Sequence, residues 1–105
     1  MNNWENSKTD NLIKAILALQ TPKEAKEFLR DLLTTEEIIE FGLRFEVAQM
    51  LLKKIPYTMI TQKTGLSSTT IARVAKWLNG KTGGYRTIIN RLHHHNSNQM
   101  RKGLS

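Results

Sequence analysis

Residues 57–78, YTMITQKTGLSSTTIARVAKWL, gather the side chains best suited to a defined chemistry. Ser68, Thr69, Thr70, Arg73 and Lys76 set short hydroxyls beside two cations, with no carboxylate among them. On one helix face, such a set can hydrogen-bond base edges in the major groove of duplex DNA. An Arg suits guanine O6 and N7, and nothing on the face repels phosphate. Tyr57 and Thr58 stand where another helix begins, and unpaired backbone N–H groups at a helix start favour a phosphate. Lys63, with Lys53, Lys54 and Lys81, supplies positive charge without base selectivity.

Presenting these groups requires two crossed helices. Ile71, Val74, Ala75 and Leu78 recur at i, i+3, i+4 and i+7, one face of a helix over Ser68 to about Leu78. Ile60 and Leu66 supply the apolar side of the preceding segment. Gly65 falls where the first helix must stop and reverse, and it can take a left-handed backbone at little cost. Ser67 is the expected N-cap, accepting from the backbone N–H of Thr69 or Thr70. Thr61 is expected at the closest approach of the two helices, with some crowding. The pattern is a helix-turn-helix.

The charge distribution agrees. The 105 residues carry +7 overall, but residues 1–40 hold five Lys/Arg against eight Asp/Glu. Residues 41–105 hold eleven Lys/Arg and one acid, Glu46. A basic segment of this kind is the electrostatic footprint of a surface that displaces counterions from a polyanion.

Other chemistries find little support. The chain has no Cys, which removes disulfides, thiolate metal sites and cysteine nucleophiles and suits a cytoplasmic protein. The three His are consecutive, His93-His94-His95, and neighbours in sequence on a tail do not converge on one metal ion. No base, orienting partner and pocket are evident together, so no enzyme is expected. No apolar run approaches the roughly 20 residues of a membrane span, no signal peptide is evident, and no membrane partner is expected.

The remaining segments read as helices of one domain over residues 8–92. Residues 1–7 are expected to be loose and residues 93–105 to form a flexible tail, whose Arg101 and Lys102 could add weak phosphate contacts. A first helix starting near Lys8–Asp10 carries an apolar stripe of Leu12, Ile13, Ile16, Leu17 and Leu19, with Ala15, and ends before Thr21-Pro22. Thr21-Pro22-Lys23-Glu24 opens a second, with Thr21 as N-cap, Pro22 at the first helical position and Glu24 reaching back, and this helix is expected to bury Ala25, Phe28, Leu29, Leu32 and Leu33. Thr34 and Glu37 form the next capping box, and a third helix runs from about Thr35 to Lys53, before Pro56. Its apolar residues fall on two faces, Ile38, Phe41, Phe45, Ala48 and Leu52 on one and Ile39, Leu43, Val47, Met50 and Leu51 on the other. A helix apolar on both sides needs cover on both, which in so short a chain argues for a homodimer with an interface like a divided core. After the turn-rich Asn79–Gly84, a last helix carries Tyr85, Ile88, Ile89 and Leu92 on one face and Arg86 and Arg91 on another.

Three stretches, LRFEVAQML in the third helix, TGLSSTTIARV at the turn and second helix of the motif, and LN followed by GGY and INRL, together resemble the Trp-repressor-like family, in its YerC/YecD branch. The resemblance extends over most of residues 8–92. It implies an all-α, intertwined homodimer of about six helices, whose two helix-turn-helix units read half-sites about one DNA turn, ~34 Å, apart. It also implies a question about an effector. The Trp repressor holds L-tryptophan with two arginines, and Arg44 and Arg73 stand at positions that look equivalent. Trp77, however, replaces a small hydroxyl residue of that site, and its indole could fill the space. The Lys53–Pro56 loop also looks about a residue shorter. The expectation is therefore no cofactor and no tryptophan requirement, with Arg44 and Arg73 as the residues that would hold an effector. The leading reading is a sequence-specific duplex-DNA-binding transcriptional regulator, a repressor, acting as a homodimer. The alternative is a helical protein-interaction or RNA-binding module with a basic face.

Overall fold

The computed structural model describes the backbone of residues 3–104 and the side chains of residues 3–94. Six helices follow one another, α1 (Ser7–Ala18), α2 (Pro22–Leu32), α3 (Thr35–Leu52), α4 (Tyr57–Thr64), α5 (Ser68–Leu78) and α6 (Gly84–Leu104), with no strand among the described residues. The fold is all-α, as its periodicities require. The chain divides into two compact units, residues 1–39 and residues 40–105.

In the first unit, short-range caps set the helix starts. Asn6 caps α1, its side chain accepting from the N–H of Lys8 and Thr9 while Thr9 Oγ1 accepts from the Asn6 N–H at 2.9 Å. Helix α1 therefore begins at Ser7, a residue ahead of the expected start, because Asn6 and Thr9 form a capping box. Thr21 caps α2 through the Glu24 N–H, and Pro22 takes the first turn. The Glu24 carboxylate reaches one residue further back than expected and accepts from the N–H of Gln20 at 2.9 Å. Thr34 and Glu37 form the reciprocal box at the start of α3. Neither α1 nor α2 has a buried residue: of the side chains expected to be buried in the second helix, Ala25, Phe28 and Leu33 are only half-buried and Leu29 and Leu32 are exposed, as are Ile13, Ile16 and Leu17 of α1, because the single chain offers them no full cover.

The second unit holds the core. Val47, Ala48 and Met50 of α3, Ile60 of α4, Ile71 and Val74 of α5 and Ile89 of α6 form one buried cluster. Phe45, Leu51, Leu52, Ile55, Leu66 and Tyr85 pack against it, with the Phe45 and Tyr85 rings 6.5 Å apart. The α3 helix ends at Leu52 with Lys54 in the left-handed region (φ 61°). The N–H of Ile55 donates to Met50 O and that of Lys54 to Leu51 O, a Schellman pairing that satisfies carbonyls of the last turn. Pro56 then caps α4 by its extended backbone.

Two features differ from expectation here. Thr61 is exposed rather than crowded at the α4–α5 crossing, because Ile60 occupies the buried position. The last helix does not stop at Leu92. The backbone of α6 continues to Leu104, through a stretch whose sequence has no Pro and no Gly before Gly103 to end it. The side chains of His95, Arg101 and Lys102 lie outside the described residues.

Candidate nucleic-acid interface

The α4–turn–α5 unit is built by the devices its sequence announces. The N–H of Gly65 donates to Thr61 O at 2.9 Å, and the residue lies at φ 74°, ψ 2°, the left-handed stop. Thr64 Oγ1 donates to Ile60 O at 2.7 Å and accepts from the Leu66 N–H at 3.2 Å, bridging the helix end to the turn. Ser67 Oγ accepts from the Thr70 N–H at 3.2 Å, which opens α5. Ile71, Val74, Ala75 and Leu78 are buried, so the rotation of α5 about its axis is fixed by four side chains over about two turns.

That rotation decides what α5 presents. Ser68, Thr69, Ala72, Arg73 and Lys76 are exposed, and so are Tyr57, Thr58 and Lys63 of α4. Thr70 differs from its neighbours. It is half-buried, and its hydroxyl lies 3.1 Å from Ser67 Oγ, so it is partly engaged within the first turn. The exposed face carries no carboxylate, and the lysines of the surrounding surface, Lys53, Lys54 and Lys81, are exposed as well. Short hydroxyls, one guanidinium and one ammonium on a single convex helix can donate to guanine and to phosphate together.

Arg44 and Arg73, from α3 and α5, line one recess of about 110 Å³ with Glu40, Thr70, Val74, Trp77 and Tyr85. Arg44 is already engaged. Its guanidinium pairs with Glu40 at 2.9 Å and lies over the Phe41 ring, 5.5 Å from the centroid. The pair is largely exposed and worth at most about 1 kcal/mol. Trp77 also borders a larger apolar recess of about 580 Å³, formed with Phe45, Thr82, Gly84, Tyr85 and Ile88, which has no charged side chain in its lining. Among the described residues, no group of three His, Asp or Glu side chains is placed to hold a metal ion, and no helix is long and apolar enough to cross a membrane.

One arrangement carried no sequence signal. Arg86 of α6 donates from Nε to Leu78 O at 3.0 Å and from a terminal nitrogen to Asn79 Oδ1 at 2.9 Å, tying the end of α5 to α6.

The sequence model described as "Trp repressor protein" matches residues 7–93, from the start of α1 into α6. The chain belongs to the Trp repressor family. It is 37% identical over 83 residues to the YerC protein of Bacillus subtilis (strain 168), covering 79% of this chain and 80% of that one. Two crystal structures share its fold. A TrpR-like protein from Eubacterium eligens ATCC 27750 superposes with a TM-score of 0.82 at 39% identity, covering 89% of this chain and 96% of the other. A candidate Trp repressor from Staphylococcus aureus superposes with a TM-score of 0.80 at 34% identity, covering 85% and 89%. The Trp repressor family is one of regulatory DNA-binding proteins, not of enzymes. The helix-turn-helix lies wholly within the matched span.

Proposed function

We propose that this Trp repressor family member is a homodimeric, sequence-specific transcriptional repressor in the cytoplasm. In this reading α5 enters the major groove of duplex DNA. Thr69 and Arg73 face base edges, and Thr70 contributes through the part of its side chain left open by Ser67. Ser68 and Lys76 meet phosphates or flanking bases. Tyr57 and Thr58, at the N-terminus of α4, and Lys63 hold the backbone.

The observation that carries the reading is the two-sidedness of α5. One face is locked into the core by Ile71, Val74, Ala75 and Leu78, while the other is exposed, basic and free of carboxylates. Any surface helix has a polar outer face; what points to a polyanion here is that this face is basic and holds no carboxylate.

Apolar surface supports the homodimer. Leu17 is 78% exposed and Ile16 51%, in a unit whose two helices bury nothing. In the second unit Phe41, Trp77, Ile88 and Leu92 are exposed, three of them at 42–44% and Trp77 at 58%. The 580 Å³ recess lacks the convergent polar groups that orient a small ligand, and it suits apolar side chains of a second copy.

No effector is required in this reading. The recess shared by Arg44 and Arg73 holds about 110 Å³, well below the roughly 300 Å³ at which ligand pockets begin. Trp77 forms part of its wall.

Selection of bound fragments from a random duplex library, at about 0.15 M salt where purely electrostatic binding is much weakened, tests the proposal. Enrichment of a two-fold-symmetric motif with half-sites one turn apart is the expected result. Uniform recovery that simply declines with salt would favour a protein- or RNA-interaction module instead.

A further inference from the structure

The last four carbonyls of a helix have no intrahelical donor, and in α5 these belong to residues 75–78. The Asn79 N–H donates to Ala75 O at 2.9 Å, and the Gly80 N–H donates to Trp77 O at 3.2 Å. The chain passes so close here that a Cβ on Gly80 would stand 3.2 Å from Lys76 O. Leu78 O is served from outside, by Arg86 Nε at 3.0 Å, and the same guanidinium donates to Asn79 Oδ1 at 2.9 Å. One planar side chain thus holds both the last residue of α5 and its C-cap, and it puts a cation at the negative end of the helix dipole.

The tie is tertiary. Arg86 lies in the first turn of α6, eight residues beyond Leu78 and across the connector. Three residues on, Ile89 is buried in the core at 1% exposure, so α6 is seated by the same side that carries Arg86. The α5 helix is then fixed at three places: by Ser67 at its start, by Ile71 and Val74 in its middle, and by Arg86 at its end.

We infer that Arg86 is a positioning residue for DNA reading: its fork on Leu78 O and Asn79 Oδ1 sets the tilt of α5 and hence the register of Thr69 and Arg73 against the bases. The inference rests on the DNA-reading role proposed above. Lysine cannot replace it fully, because an ammonium is a point donor and the guanidinium is a rigid fork.

The test uses the full chain with Arg86→Met, Arg86→Lys and Asn79→Ala. Two quantities are read: amide hydrogen exchange at residues 75–80, and affinity for the selected duplex relative to a scrambled one. Arg86→Met is expected to speed exchange at Asn79 and Gly80 and to weaken selected-duplex binding about tenfold, the scale of one charge-assisted hydrogen bond, with less than about twofold loss on the scrambled duplex. Arg86→Lys restores only part of the selectivity. Asn79→Ala, the milder variant, leaves Leu78 and Ile89 in place, raises exchange by itself, and adds little on top of Arg86→Met.

Equal losses on both duplexes with a shallower salt slope would overturn the inference and make Arg86 a phosphate contact. Full recovery by Arg86→Lys, or unchanged exchange in all three variants, would overturn it too. Faster exchange without any loss of selectivity would leave Arg86 a stabilising cap and contradict its role in reading. If the unaltered protein does not distinguish the two duplexes, the functional reading itself falls, and with it the role in reading, while exchange still decides whether Arg86 clamps α5.

Discussion

Ser67 and Thr70 are joined twice at the start of α5. The Thr70 N–H donates to Ser67 Oγ at 3.2 Å, and the two hydroxyls lie 3.1 Å apart. The pair converts a helix start into a fixed geometry, since the cap satisfies one of the four donors left open there. Ser67→Ala is expected to lower stability by about 1 kcal/mol, measured by denaturant unfolding. Ser67→Asp keeps the cap, so it should unfold like the unaltered protein yet bind DNA more weakly, because it adds a carboxylate beside the phosphates. Equal stability of the Ala variant would mean that tertiary packing alone sets the start of α5.

Gly65 is required for its backbone and not for space. Nothing lies within 4 Å of where a Cβ would stand, but φ is 74°. Gly65→Ala should therefore cost about 1–2 kcal/mol through left-handed strain, with no clash to relieve. Thermal unfolding checks this, and an unchanged midpoint would contradict it.

Arg73 and Lys63 are both exposed cations, but on different parts of the motif. Arg73→Ala should cost roughly 1–3 kcal/mol on a selected duplex and relax its sequence preference at one position, as expected for a guanine reader. Lys63→Ala should weaken all sequences alike and lower the salt slope by about one. Titrations against matched and scrambled duplexes separate the two. The same loss from both variants on every sequence would show the roles to be assigned wrongly.

Leu17 tests the homodimer. At 78% exposure it has little to lose in a monomer, where Leu17→Asp should change stability by no more than about 0.5 kcal/mol. In a dimer that covers it, the same substitution buries a charge and should shift sedimentation toward the monomer mass. Identical sedimentation of the variant and the unaltered protein would place Leu17 outside any interface.

The tryptophan question has a direct readout. A ligand that binds only the folded state must raise the melting temperature. With about 110 Å³ beside Arg44 and Arg73, L-tryptophan is expected to leave it unchanged. A concentration-dependent rise, lost in Arg44→Ala, would reinstate an effector site.

Much of this architecture is legible because the deciding interactions are local. Thr34 with Glu37, Thr21 with Pro22, and Gly65 with Ser67 act within three residues of each other, and the chain itself holds them in reach. The period of Ile71, Val74, Ala75 and Leu78 likewise decides which side of α5 is exposed. The misreadings have the opposite character. Glu24 chose the Gln20 N–H over that of Thr21, a choice between two nearby donors that no spacing rule separates. The spacing alone does not tell that Ile60 rather than Thr61 faces the buried cluster that also holds Ile71. The Asn6 cap carries little sequence signal because its partner Thr9 is an uncommon substitute for Glu or Gln in a capping box. The reach of α6 to Leu104 has no apolar periodicity to announce it, though nothing in residues 93–102 breaks a helical backbone. Arg86 could not have been found, since its acceptors lie seven and eight residues away across a turn.

The most direct test of the central claim is the ratio of affinities for the selected duplex and a scrambled duplex of equal length, measured across a salt series through about 0.15 M. A sequence reader should favour the selected site by about 10³ or more, with the ratio persisting as both affinities fall. A ratio near one at every salt concentration would contradict it, and would reduce the basic face of α5 to an electrostatic surface without a code.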